Sequence, residues 1–173
     1  MRNFVIFMIA VFAPIFPSYA QSDSDTVHFI ENFDVVGTNL SMDIEEIKKT
    51  YIGQGYAMSF GQSSFHLDFN KGEHDKVSVM IDQNTNAVTS IQYQCNAQKN
   101  PEGHAKVKKS TAALCQVHPD QRPCPGQSFG IPKNRNRAFI GLNNVGGYKY
   151  TLSLNPMMCQ VSATKFPALR SRK

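Results

Sequence analysis

The sequence predicts an α+β domain in which one or two short helices pack on a mainly antiparallel β-sheet. Three observations carry this expectation. A capping pattern opens a helix near residue 44, strictly alternating apolar runs follow from Ser64 onward, and turn-rich segments separate those runs.

The first twenty residues hold a basic Arg2, an apolar run from Phe4 to Phe16, and the small-residue ending Ser18-Tyr19-Ala20, the layout of a secretory signal. That run falls short of the roughly 20 apolar residues a membrane helix needs. Residues 1–20 are therefore expected to be a signal peptide cleaved after Ala20, giving a secreted or periplasmic protein. Gln21 is not the cysteine that lipid attachment would use. Residues 21–164 are expected to form one domain and residues 165–173 a basic, flexible tail.

Gln21 to Asp25 reads as loose polar chain, and Val27–Ile30 and Phe33–Val36 as short apolar stretches, strand or loop. Asp43 followed by Glu46 is a capping box, and Ile44, Ile47 and Tyr51 then share one helical face. A helix over 44–51 follows, ended by Gly53 and Gly55. Phe65, Leu67 and Phe69 alternate with His66 and Asp68; Val77, Val79 and Ile81 form the next run, and Val88 to Cys95 resumes after a turn at 82–86. His104–Leu114 is a second helix with a thin apolar face. Residues 116–132 are rich in proline and glycine and read as an ordered loop. Ala138–Leu142 and Tyr148–Leu154 form a hairpin across 143–147, and a short last strand includes Cys159–Ala163.

The four cysteines, Cys95, Cys115, Cys124 and Cys159, are an even number in a chain expected to be exported, so two disulfides are predicted. Of three connectivities, Cys115 with Cys124 and Cys95 with Cys159 is favoured, because the Pro-rich segment makes a natural small loop. No C-x2-C spacing points to zinc.

Charge divides the chain. Residues 21–94 hold four basic and eleven acidic side chains, a balance of −7, and residues 95–173 hold thirteen basic and two acidic ones, a balance of +11. A basic face would attract an anionic envelope polymer or an acidic protein surface. In the competing arrangement the two halves fold against each other and neutralise. The expected contact residues are Lys106, Lys108, Lys109, Lys133, Arg135 and Arg137, with His104 nearby and Phe129, Phe139, Tyr148 and Tyr150 as neighbouring aromatics. Nucleic acid is a further anionic partner that such a face could take, though no nucleic-acid-binding motif accompanies these residues.

Catalytic patterns fail on inspection. Gly126-Gln127-Ser128-Phe129-Gly130 spells the nucleophile elbow of hydrolases, yet no Asp, Glu or His follows Ser128 to complete a triad. Asp82-Gln83-Asn84-Thr85-Asn86 begins like a calcium loop, but Ala87 and Tyr93 replace the required glycine and glutamate. His66, Asp68 and His74 could supply nitrogen and oxygen ligands to a metal; the plainer expectation is polar residues on a wet strand face. Met157 and Met158 read as core filler more readily than as soft-metal ligands. No cofactor is expected. Asn39-Leu40-Ser41 is a glycosylation sequon only in a eukaryotic source.

Residues 40–47, Leu-Ser-Met-Asp-Ile-Glu-Glu-Ile, with the glycines after them and the later hairpin with a polar turn, resemble small exported helix-then-sheet modules of the outer-membrane-assembly lipoprotein and β-lactamase-inhibitor-protein type. The resemblance covers residues 35–93. Ser41 stands where those modules usually carry glycine, and nothing after Cys95 matches. It implies a binding or scaffolding module rather than an enzyme and allows an inhibitor of a secreted hydrolase. The alternative read from the residues themselves is a metal-binding protein or metal-dependent enzyme using His66, Asp68 and His74.

Overall fold

The structure, a computed structural model, describes residues 22–61, 63–121, 124 and 137–168. The expected signal peptide, the hydrolase-like 126–130 string with Phe129, and Lys133 and Arg135 lie outside the described residues.

Three helices and seven strands follow one another as α1 (Asp23–Glu31), α2 (Ile44–Gly53), β1 (Ala57–Phe60), β2 (His66–Asn70), β3 (Asp75–Ile81), β4 (Val88–Cys95), α3 (Pro101–Val117), β5 (Ala138–Val145), β6 (Tyr148–Asn155) and β7 (Gln160–Pro167). All strands join one antiparallel sheet in the order β1-β2-β3-β4-β7-β6-β5. The acidic half supplies the β1–β4 meander and the basic half the β5–β7 meander. They meet where β4 pairs β7, with Ile91 opposite Ala163 and Tyr93 opposite Val161.

Register puts one apolar row across the sheet. Leu67 pairs Val79, Val79 pairs Ile91, Ile91 pairs Ala163, and Ala163 pairs Leu152; all are buried. The three helices cover this face. The alternate positions, among them Asp68, Ser78, Gln92, Ser162 and Ser153, form a polar outer face, as period-two alternation requires.

Several expectations need correction. Residues 23–31 are helix rather than loose chain followed by a strand or loop. Ser22 caps it by accepting from the Asp25 N–H, and Thr26, Ile30 and then Phe33 are buried at spacings of four and three. The helix count is three, not one or two. The capping box of α2 is present as expected, with both Asp43 and Glu46 bonds formed, while the helix runs through Gly53 and closes at Gly55 with φ +85°. Helix α3 starts three residues earlier than expected because Asn100 caps it, accepting from Gly103 N–H at 2.8 Å. The 143–147 turn tightens to Gly146-Gly147, both at positive φ, the backbone a two-residue hairpin demands. Strand β1 adds a fully exposed edge.

The final strand reaches Pro167, so Lys165 belongs to the sheet and not to a frayed tail. Its ammonium donates to Glu31 Oε1 at 2.6 Å and lies 5.1 and 5.5 Å from the ring centroids of Tyr148 and Tyr150, tying α1 to the sheet. Burial works against the charge on Lys165, but the Glu31 contact prevails and raises its pKa. Two disulfides link Cys95 to Cys159 and Cys115 to Cys124, with Cα separations of 5.1 and 5.4 Å. The first clamps the ends of β4 and β7; the second closes a loop behind α3. Among the described residues no helix is long and apolar enough to cross a membrane.

Candidate functional site

Helix α3 buries a narrow stripe, Gly103, Val107, Ser110 and Leu114. Its neighbouring stripe carries Lys106, Lys109 and Ala113, at helical spacings of three and four. Lys106 and Lys109 reach a cleft of about 470 Å³ lined also by Asp34, Val36, Gly37, Gln54, Lys71 and Ser110. Lys71 comes from the turn between β2 and β3, in the acidic half of the sequence. Lys71 thus shares one cleft with two lysines of α3 that lie far from it in the sequence.

Two of these lysines stand over Tyr56, a buried ring between α2 and β1. Lys71 Nζ lies 5.8 Å and Lys106 Nζ 6.0 Å from its centroid, and Lys71 also donates to the Gln54 carbonyl at 3.0 Å. The Tyr56 hydroxyl donates to Asp75 Oδ1 at 2.8 Å, and Asn100 Nδ2 donates to Asp75 Oδ2 at 3.1 Å. Asp75 is buried, so both donors matter; a buried carboxylate without them would be costly. One carboxylate therefore fixes the ring under the lysines and the first turn of the helix that carries Lys106. Burial first, then neighbouring Asp75, push the phenols of Tyr56 and Tyr93 well above their ordinary range.

The opposite wall is strained. Val35 and Thr38 bridge across a tight turn whose central residues, Val36 and Gly37, have φ of +56° and +91°. Positive φ at a β-branched residue is a conformation that costs on the order of 1–3 kcal/mol. It is held by Asp34 Oδ1 accepting from the Gly37 N–H at 2.5 Å, by the Val35–Thr38 bridge, and by the Tyr51 hydroxyl donating to the Val35 carbonyl at 2.9 Å.

Among the described residues one ion pair joins the two charge halves, Lys165 with Glu31. Lys48 with Glu45 and Lys76 with Asp68 pair within the acidic half. Lys106, Lys108 and Lys109 pair with no carboxylate of the described residues. Lys108 stands apart from the cleft: it follows Lys106 by two positions, about 200° around the helix. Arg137 is also elsewhere, on the β5–β6 hairpin, donating to Ser153 Oγ at 2.8 Å and lying 5.9 Å from the exposed Phe139 ring. Of the expected contact set, the structure brings Lys106 and Lys109 together.

His66 and Asp68 are neighbours on the polar sheet face, 3.3 Å apart, with Asp68 also bonded by Ser78 and Lys76. Burial raises the Asp68 pKa, but those donors and the Lys76 charge outweigh it and leave it lowered. His74 lies at the other end of the β2–β3 hairpin, beside Glu73. Among the described residues no group of three His, Cys, Asp or Glu side chains is placed to hold a metal. Asp82 Oδ1 accepts from the N–H groups of Asn84 and Thr85, each at 2.9 Å, so this carboxylate builds the turn. Met157 and Met158 are 67% and 59% exposed, so they do not fill the core; they line a different cleft with His74.

Lys71, Tyr56 and the Val36-Gly37 turn escaped the sequence reading. Lys71 is an isolated cation among acidic residues, and only the sheet order carries it to α3. No family model, curated protein or solved structure matches this chain.

Proposed function

We propose that this protein is a non-enzymatic binding module, exported from the cytoplasm, that engages an anionic envelope polymer through the cleft of Lys71, Lys106 and Lys109. The observation that carries the reading is that these three lysines line one cleft and none of them pairs with a carboxylate of the described residues. The walls they stand on are fixed: Tyr56, Asp75 and Asn100 on one side, the strained Val36-Gly37 turn on the other. A rigid receptor loses less entropy on binding. Two disulfides suit an oxidising compartment. The resemblance of residues 35–93 to exported binding and scaffolding modules points the same way.

Retention on heparin and on isolated cell-wall polymer, measured against salt, tests the reading. The double variant Lys71→Glu/Lys106→Glu should lose retention. Lys108→Glu/Lys149→Glu, with the same change in net charge but on other faces, should keep most of it. Wild-type retention should fade as salt shortens the screening length below about 10 Å, the value near 0.1 M. Equal loss in both double variants would reduce the effect to net charge and remove the cleft.

A further inference from the structure

The lysine cleft shares part of its lining with a neighbouring cavity. Asp34, Lys109 and Ser110 also border a second cavity, about 320 Å³, between α1 and α3. Its walls are Phe29 and Phe33 from α1 and its end, and Ala113 from α3. Phe29 and Phe33 meet edge to face, their ring centroids 5.5 Å apart. The polar groups at its rim are satisfied locally: Asn32 Nδ2 donates to the His28 carbonyl at 2.9 Å, and Ser110 Oγ to the Asp34 carbonyl at 3.4 Å. What faces the cavity is therefore mainly aromatic and methyl surface, bordered by Lys109, which also lines the lysine cleft.

Resting on the anion-binding reading above, we propose that the joined cavities form a binding site for a long-chain carboxylate, a fatty-acid-like amphiphile. Its alkyl chain lies between α1 and α3 against Phe29, Phe33 and Ala113. Its carboxylate sits at Lys109, within reach of the Lys106 and Lys71 side of the cleft. Charge complementarity selects the head group, since a neutral head would leave the lysines' field unused, and the apolar compartment selects the tail. Its volume lies at the small end of ordinary ligand pockets, about 300–1,000 Å³, which suits one chain rather than a two-chain lipid. Asp34 is the one like charge at the junction, and its Oδ1 is engaged by the Gly37 N–H.

Calorimetric titration with acetate, hexanoate, octanoate and decanoate, with decyl maltoside as the neutral chain, tests the proposal. Each methylene buried should tighten binding by about fourfold, so affinity should climb with chain length until the cavity is full. Decyl maltoside should bind at least tenfold more weakly than decanoate. Ala113→Trp should cut decanoate affinity tenfold or more while leaving heparin retention unchanged, and Asp34→Asn should tighten it. Circular dichroism confirms that each variant folds, and Ala113→Phe serves where tryptophan does not fit. Affinity independent of chain length, or equal binding of the maltoside, overturns the amphiphile proposal while the lysine cleft stands on its heparin retention. Loss of both decanoate binding and heparin retention in the wild type overturns the cleft itself.

Discussion

Lys71 and Lys106, thirty-five positions apart in the sequence, hold their ammonium groups 5.8 and 6.0 Å from the centroid of one ring, that of Tyr56. The arrangement is imposed by the fold rather than by mutual attraction, since like charges repel. Tyr56 is anchored to Asp75, Asp75 to Asn100, and Asn100 caps the helix that carries Lys106. Each cation gains a modest attraction from the ring face, about 0.5–1 kcal/mol at an exposed site.

Removing the Tyr56 hydroxyl tests that chain of support. Tyr56→Phe leaves Asp75 buried with one donor fewer and should cost about 1–3 kcal/mol, read as a lowered denaturation midpoint. Asn100→Ala should cost a similar amount, because it removes both an Asp75 donor and a helix cap. The two effects should be coupled in a double-mutant cycle. Simple additivity would show that Asp75 does not join them.

Gly103 occupies the place where α3 crosses Tyr93. A Cβ there would overlap the Tyr93 hydroxyl and come within 2.8 Å of Asn100 Nδ2. Gly103→Ala should therefore destabilise despite the gain of about 1 kcal/mol in helix propensity. In a Tyr93→Phe background much of that loss should be recovered, as thermal melts would show. No recovery would mean that the contact with Asn100 dominates.

The two disulfides should differ in weight. Cys95–Cys159 closes a sequence separation of 64 and Cys115–Cys124 one of 9. On the chain-entropy account their removal costs about 4 and about 2.5 kcal/mol respectively. Paired Cys→Ala variants, compared by urea unfolding, should follow that order.

Acidification should loosen the contact behind α1. His118 packs its ring on Phe29, 5.1 Å between centroids, and burial lowers its pKa, with Asp120 opposing. The unfolded chain then takes up the proton first as pH falls. The neutral histidine's contribution is complete above about pH 6.5 and declines below it. The melting temperature should drop between pH 7.5 and 5.5, and His118→Gln should flatten that drop. Asp68, with a lowered pKa, acts separately: its contribution persists until the pH falls below the ordinary carboxylate value near 3.9.

Much of this fold was legible. Leu67, Phe69, Val77, Val79 and Ile91 announce their strands because one sheet face is wet and the other buried, and Asp43 with Glu46 announces α2. Helix α1 was not, since Val27, Phe29, Ile30 and Phe33 fit strand and helix spacing alike and the Ser22 cap is a small signal beside them. Strand β1 escaped because all four of its side chains are exposed at the sheet edge. In the site, Lys106 and Lys109 stood out as a basic run. Lys71 did not, because its partners come from across the sheet, and the positive φ of Val36 leaves no mark in residue type.

The most direct test of the cleft as an anion-binding site is a two-dimensional amide NMR titration with a short heparin oligosaccharide. Shifts should concentrate at Val36, Gly37, Lys71, Lys106 and Lys109, saturate, and reverse as salt is added. Shifts centred instead on Arg137 and Phe139 of the β5–β6 hairpin, or on the polar sheet face around Asp68, would contradict it, as would a spectrum that does not change.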